Sequence, residues 1–362
     1  MSSAQSLRLE YLHPSESHSE GWHDVLGMAV FEGCADERNS VEQRGRDSEC
    51  ALPGSGAEVP LAHVHTPVLD EPREVLEVWR TGGRAQRGSH GRVRHALSGG
   101  LLFGSLAVRE AELAAPAGAS PRTPLELATG LAYRQMYASL AAAGNPHLVR
   151  IWNYIPDINL DTHGLERYRQ FNTARHEASL ACGRAVAGKV PAASALGAAS
   201  SSPLTIYFLA SHQAPTFIEN PRQTSAYRYP AQYGPRSPAF SRATVLGEGD
   251  AATLFISGTA SIVGHRTMHA GDVAAQTRET LVNIQALLEE AQRRSRMSAL
   301  SLEALAYKVY VRDPRELPVI RAQLEAALGS RAALLYLKAD VCRSDLSVEI
   351  EAAGGRGLRP AD

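Results

Sequence analysis

The sequence predicts an α/β protein (α+β in the sense of mixed sheets with helices on one face), built from two like units in one chain. Three observations carry that expectation. A chain of 362 residues is long enough for two domains of ordinary size. Hydrophobic residues make up 44% and charged residues 21%, which supplies a sizeable core and rules out global disorder. Strand-like and helix-like runs alternate, and the order of the first half returns in the second.

Taken in order, residues 100–108 (GLLFGSLAV) read as a strand. Residues 124–143 have helical periodicity, with Leu127, Leu131, Met136 and Leu140 near one face. Residues 147–155 (HLVRIWNYI) are a second strand, 165–181 a second helix and 204–210 (LTIYFLA) a third strand. The pattern then repeats. Residues 253–263 form a strand, and 272–293 a helix that Asp272 is placed to cap. Val273, Thr277, Leu281, Ile284 and Leu288 mark its inner face. Residues 304–311 (ALAYKVYV) are a strand, and 314–328 a helix with Pro314 in the first turn, where no donor is lost. Residues 333–341 and 347–352 are the last strands. Agreement in both order and length favours duplication over coincidence. A first unit over 1–219, with a divergent N-terminal segment, and a second over 220–362 are expected.

Three stretches interrupt the pattern. Residues 34–57, rich in Glu, Arg, Asp, Ser and Gly, read as a surface loop. Residues 183–202, dominated by Ala, Gly and Ser, read as a break. Residues 220–242 are too long for a plain connector and make a candidate functional loop.

Composition narrows the function classes. A net charge of -1 implies no polycationic surface for nucleic acid. Cys34, Cys50, Cys182 and Cys342 form no CxxC pair, which speaks against a zinc knuckle or a disulfide framework. Residues 1–20 lack the apolar core of a signal peptide, and no run approaches the roughly 20 apolar residues of a membrane helix. A soluble, cytoplasmic protein is expected, and self-association is open. His63 and His65 lack a third metal ligand nearby, and His265 and His269 read as turn residues. The glycines at 99, 100 and 104 lack the strand-then-helix setting of a dinucleotide loop, and there is no P-loop or GxSxG. No metal or organic cofactor is expected.

The chain's end reads as a hairpin. With a four-residue turn at 343–346, Cys342 faces Ser347, Asp340 faces Glu349 and Lys338 faces Glu351. Alternation then puts these six polar side chains on one face and an apolar set on the other. Cys342 and Glu349 become diagonal neighbours roughly 7–8 Å apart. A solvated face with charges paired across strands is the ordinary reading of such alternation. A thiol there is not a core filler, however, and the 219–243 loop supplies a cover. It carries Arg222, Arg228, Arg236 and Arg242 with Tyr227, Tyr229, Tyr233 and Phe240. Arginine suits bidentate carboxylate recognition and tyrosine gives a flat body with a hydroxyl, so a small ring-shaped anion fits. A surface loop or a subunit contact is an equal reading of the residues alone.

The run LFISGTASIVGHRTMHAGDVAAQTRETLVNIQALL, then YKVYVRDP and VEIEA, resembles the Rid-type imine deaminases with the YjgF-like fold. The longer runs RIWNYIPDIN (150–159), ENPRQTSAYRYPAQYGPRSPAFSRA (219–243) and ADVCRSDLSVEIEA resemble the chorismatases, which carry two Rid-like units in one chain. The resemblance covers residues 95–362. It implies two fused Rid/YjgF-like units, and cleavage of the small molecule chorismate to pyruvate and a six-membered-ring product without metal or cofactor. Glu349 stands at the place of the family's glutamate. The family's 3-hydroxybenzoate formers carry a cysteine seven residues before it, where the hydrolases carry alanine, and Cys342 has that spacing. The resemblance therefore implies a 3-hydroxybenzoate synthase, with 4-hydroxybenzoate as a second product of some members.

On this reading Glu349 and Cys342 are catalytic. Arg242 and Arg236 hold carboxylates; Tyr154, Tyr227, Tyr233 and Phe240 frame the ring, and Lys338 lies on the same face. Cleaving an enol ether requires protonation of its methylene carbon by an acid with a raised pKa. Burial and a like charge from Asp340 would raise Glu349. Three other readings stay open: a hydrolase giving a dihydroxycyclohexadiene carboxylate, an imine deaminase, and a non-enzymatic sensor of an aromatic acid.

Overall fold

The computed structural model describes residues 7–14, 22–33, 59–71, 73–113, 122–355 and 358. The expected loop at 34–57, with Cys34 and Cys50, lies outside them. Strands β1 (Leu7–Leu12), β2 (Val25–Phe31), β3 (Leu61–Val64) and β4 (Val75–Thr81) form a small sheet in the order β1-β4-β2-β3.

The first six-stranded sheet contains β5 (Gln86–His90), β6 (Val93–Ser98), β7 (Leu101–Val108) and β8 (His147–Pro156). Helix α1 (Pro124–Ala142) starts at a capping box. The Thr123 hydroxyl accepts from the Glu126 amide, the Glu126 carboxylate accepts from the Thr123 amide, and Pro124 opens the first turn. A two-residue ladder of β9 (Asp161–Thr162) and β10 (Leu165–Glu166) leads into α2 (Arg167–Ala181). Strands β11 (Ala192–Ala198) and β12 (Leu204–Ser211) complete the order β11-β8-β12-β7-β6-β5.

The second sheet contains β13 (Thr216–Ile218), β14 (Ala243–Leu246) and β15 (Thr253–Thr259). After a short ladder of β16 (Ile262–Val263) and β17 (Arg266–Thr267) comes α3 (Val273–Ser295), with Asp272 capping the Ala275 amide at 2.9 Å. Then follow β18 (Ala306–Val311), α4 (Leu317–Leu328), β19 (Ala333–Lys338) and β20 (Val348–Gly355). The order is β19-β18-β20-β15-β14-β13, the first sheet's topology strand for strand. In both, helical crossovers make an outer parallel pair, β8 with β11 and β18 with β19.

That topology corrects the hairpin. β19 is an edge strand paired to β18, and β20 lies on the other side of β18. The parallel crossover through α4 forces this, because the chain must pass the end of β18 before returning antiparallel. Tyr310, not Asp340, stands opposite Glu349, and Lys308, not Lys338, opposite Glu351. Lys338 is exposed, and Asp340 pairs with Arg312 at 2.5 Å. The break read at 183–202 is corrected as well, since it contains the largely buried strand β11.

The three sheets share one core. Trp79 of β4 lies 5.8 Å from Trp152 of β8 and 6.0 Å from Phe255 of β15. Trp152 stacks on Tyr207 of β12 at 4.5 Å, and the Tyr154 hydroxyl meets that of Tyr310 at 3.0 Å. The outer faces carry separate cores, against α1 and α2 in the first unit and against α3 and α4 in the second.

Candidate active site

A cavity of about 420 Å3 opens where the two units meet, within the usual range of small-molecule sites. The first unit lends Ala193, Ser194 and Ala195 of β11 and Tyr168, Arg169 and Arg175 of α2. The second lends Gly258 and Glu349, residues of the 229–242 loop, and residues 342–345 of the segment that crosses β18. Small side chains let β11 approach so closely. The Ala192 amide donates to Thr244 Oγ1 and the Ala193 amide to Ser257 Oγ, each at 2.9 Å. At Gly197 a Cβ would stand 2.7 Å from the Asp340 Cβ. The Ala/Ser/Gly composition that reads as a linker is thus a packing requirement.

Glu349 sits at the cavity floor, 4% exposed. Its carboxyl lies against Gly258, in the irregular stretch of the β15–β20 ladder between Ile256 and Thr259. A Cβ on Gly258 would fall 1.8 Å from Glu349 Oε1, so any side chain there displaces the carboxyl. Behind it lies a buried charge cluster. Glu351 accepts from Arg150 at 2.7 Å, Lys308 at 2.8 Å, Ser194 Oγ at 2.7 Å and Trp152 Nε1 at 2.6 Å. Lys308 also meets Glu77 at 2.5 Å. Two carboxylates and two cations balance there. Burial works against the ionised Glu351, but Lys308 and Arg150 outweigh it and hold its carboxyl below the usual range.

Glu349 receives no such pairing. Burial foremost, then the charge of Glu351, pushes it up to about 8, against the opposing pull of Arg150, Cys342 and Arg242. It therefore carries a proton at neutral pH. The Cys342 thiol faces the cavity beside it. Burial and the neighbouring Glu349 push that thiol up to about 12 despite Arg343, Arg242 and Arg312, so it remains an S–H group and not a thiolate nucleophile. The Tyr168 phenol borders both and is also pushed up, chiefly by burial.

The opposite wall alternates rings and cations. Arg242 lies over Phe240 at 5.1 Å and over Tyr229 at 5.6 Å. Arg343 lies over Tyr229 at 5.2 Å and over Tyr233 at 4.1 Å, where cation–π attraction fixes both planes. The Tyr233 hydroxyl donates to the His265 carbonyl at 2.6 Å, and Arg343 Nη1 to the same carbonyl at 3.0 Å. Arg175 is tied to Asn172 at 2.8 Å. Arg175, Arg242 and Arg343 each keep one buried guanidinium nitrogen without a partner, Nε, Nε and Nη2 respectively. Among the described residues none of the three forms a salt bridge. Arg169, by contrast, is paired with Glu166 at 3.2 Å.

Of the expected site residues, Glu349, Cys342, Arg242, Tyr233 and Phe240 line the cavity. Tyr154, Tyr227, Arg236 and Lys338 do not. Tyr154 is fully buried in the shared core, Tyr227 packs beside Arg228, and Arg236 and Lys338 are exposed. The sequence reading missed Arg343 by assigning it to a turn, although it follows Cys342 directly. It missed Tyr168, Arg175 and Ser194 because they come from the other unit, and only the packing of β11 on β15 brings them in.

A carboxyl kept protonated beside guanidiniums that, among the described residues, form no salt bridge makes this cavity a small-molecule site suited to an anion. Comparison with known proteins gives the family. Residues 77–210 match the N-terminal family described as chorismatase FkbO/Hyg5-like. A 3-hydroxybenzoate synthase of Streptomyces hygroscopicus is 38% identical over 285 residues, 76% of this chain and 80% of that one. A chorismatase of Streptomyces rapamycinicus is 38% identical over 299 residues, 81% and 85% of the two chains. A crystal structure of a chorismatase superposes with a TM-score of 0.81 at 31% identity, covering 97% of this chain and 99% of that one. The chain belongs to the chorismatase family.

Proposed function

We propose that the protein cleaves chorismate to pyruvate and 3-hydroxybenzoate, with Glu349 as the proton donor. The observation that carries this is a carboxyl held protonated in a cavity with three guanidiniums that, among the described residues, form no salt bridge. Chorismate brings two carboxylates to those cations and an enol ether to the acid. Arg242, Arg343 and Arg175 supply the positive field, and Phe240, Tyr229 and Tyr233 a flat apolar wall for the ring.

Glu349 gives its proton to the methylene carbon of the enol ether, leaving an oxocarbenium ion. The carboxylate so formed stabilises that cation. The neighbouring ring hydroxyl adds to the cation, giving up its proton and forming a cyclic ketal. Pyruvate then leaves with that hydroxyl's oxygen as its carbonyl oxygen, breaking the ring C–O bond there, and loss of the proton on the ring carbon that keeps the former ether oxygen gives the aromatic acid with that oxygen as its phenol. Pyruvate and hydroxybenzoate together contain the atoms of chorismate, so this branch takes up no water overall. Capture by water gives the dihydroxy diene instead. Cys342 supports the aromatic branch: its neutral thiol stands beside Glu349, where it disfavours a bound water and can donate a weak hydrogen bond. The reading needs one partner, the substrate. Among the described residues no helix is long and apolar enough to cross a membrane, and a cytoplasmic site of action belongs to the proposal.

Incubation with chorismate followed by chromatography tests it. Pyruvate and 3-hydroxybenzoate in equal amounts are expected. Pyruvate with the diene alone would move the chain to the hydrolytic branch, and absence of pyruvate would remove the proposal.

A further inference from the structure

We infer that Ser194, contributed by the first unit, is a positioning residue for Glu349, its hydroxyl tying down the Gly258 peptide and keeping that amide away from the Glu349 carboxyl. The inference rests on the reading of Glu349 as proton donor. Ser194 is 3% exposed and sits where strand β11 meets the floor of the cavity. Its Oγ accepts from the Gly258 amide at 2.9 Å and from Arg150 Nη2 at 2.5 Å, and donates to Glu351 Oε2 at 2.7 Å. All its hydrogen-bonding capacity is therefore used. The Gly258 residue it holds is the one against which Glu349 Oε1 lies, with no room for a Cβ.

Without Ser194 Oγ, the Gly258 N–H has lost its acceptor and stands next to a carboxyl. A backbone N–H donated to a carboxylate favours the ionised form. Glu349 would then surrender its proton at lower pH, and the carboxyl would be drawn towards the amide. The charges and titratable groups that face Glu349 otherwise stay in place: Glu351 on its own strand, Arg150 on β8, Tyr168 and Arg175 on α2, Cys342 on the crossing segment and Arg242 before β14. None of them is bonded to Gly258; Glu351 and Arg150 also lose their bonds to Ser194 Oγ, but they stay paired with each other at 2.7 Å and Glu351 with Lys308 at 2.8 Å, which keeps both charges where they are.

The test compares pH profiles of kcat/KM for pyruvate release from chorismate by the unaltered protein, Ser194→Ala and Ser194→Thr, with Glu349→Gln as control. Ser194→Ala is expected to move the alkaline limb down by about one pH unit. It should lower kcat about twofold at pH 7, approaching about tenfold above pH 8, while leaving KM within about threefold. Ser194→Thr keeps the hydroxyl and should return the limb to its original place. If the alanine variant does not fold, Ser194→Cys takes its role, because sulfur is a weak acceptor. An unmoved limb in the alanine or cysteine variant, or a threonine variant that behaves like alanine, would overturn the inference. Wild-type turnover in Glu349→Gln, or no alkaline limb in the unaltered protein, would instead overturn the reading of Glu349 and this inference with it.

Discussion

The proton-donor role proposed for Glu349 follows from its burial next to a charge cluster whose members already satisfy one another. With its carboxyl pushed up to about 8, the acid form is present below that pH and lost above it, so kcat/KM should fall as pH rises through about 8. Stability carries the same signature. Between the carboxyl's ordinary value of 4.5 and about 8, the folded chain holds a proton that the unfolded chain has released. Folding is therefore weakened as pH rises through that window. Urea midpoints measured across it should decline in the unaltered protein, and the decline should be smaller in Glu349→Gln. Cys342 has a separate expected role. Since its thiol is neutral and Glu349 can protonate without it, Cys342→Ala should still release pyruvate but yield less 3-hydroxybenzoate and more diene. A collapse of pyruvate at a fixed product ratio would place the thiol in the cleavage step instead.

At the level of elements, the strands and helices from residue 100 onward were legible, α3 and α4 from their periodicity and the rest from the order of runs, whereas β1–β6 were not; the two caps, Thr123 unforeseen and Asp272 foreseen, sit where hydrogen bonding demands them. Two misreadings have physical causes. Alternation in 333–341 and 347–352 separates the faces within each strand, but cannot say which strand is the neighbour or how the two are phased. The helical crossover puts β18 between them, and Leu337, expected on the face away from Glu349, stands with Glu349 at the level of Tyr310 and packs into the joint core. Strand β11 carries no apolar run, because its side chains must be small enough for the second unit to close on it. Gly197 tests that explanation. Gly197→Val would press on Asp340 and Ile158, and overpacking of this kind costs about 1–3 kcal/mol. The midpoint of thermal unfolding should drop, and pyruvate release should slow because the displaced segment carries Arg343. An unchanged midpoint would mean that the seam tolerates bulk and that the small residues there have no packing role.

For the molecule as a whole, duplication of one topology leaves a single acid. Placing Tyr154 on Tyr310, each opposite the return strand of its unit, sets Thr205 where the second unit has Glu349. The repeat was readable from the order of elements, whereas the joint core was not, because Glu77, Arg150, Lys308 and Glu351 lie on four strands from three sheets. That cluster locks the sheets together. Lys308→Met would leave two buried carboxylates short of a cation, and breaking such a pairing costs about 3–5 kcal/mol, visible in chemical denaturation. Adding Glu77→Gln to Lys308→Met should recover part of the loss. The central claim is that a cavity made by both units keeps Glu349 protonated so that it can protonate chorismate. The most direct measurement is pyruvate released by Glu349→Gln beside the unaltered protein, with chorismate binding followed in the same preparations. The account predicts retained binding and a rate lower by roughly 10²–10⁴-fold; pyruvate release near the unaltered rate would contradict it.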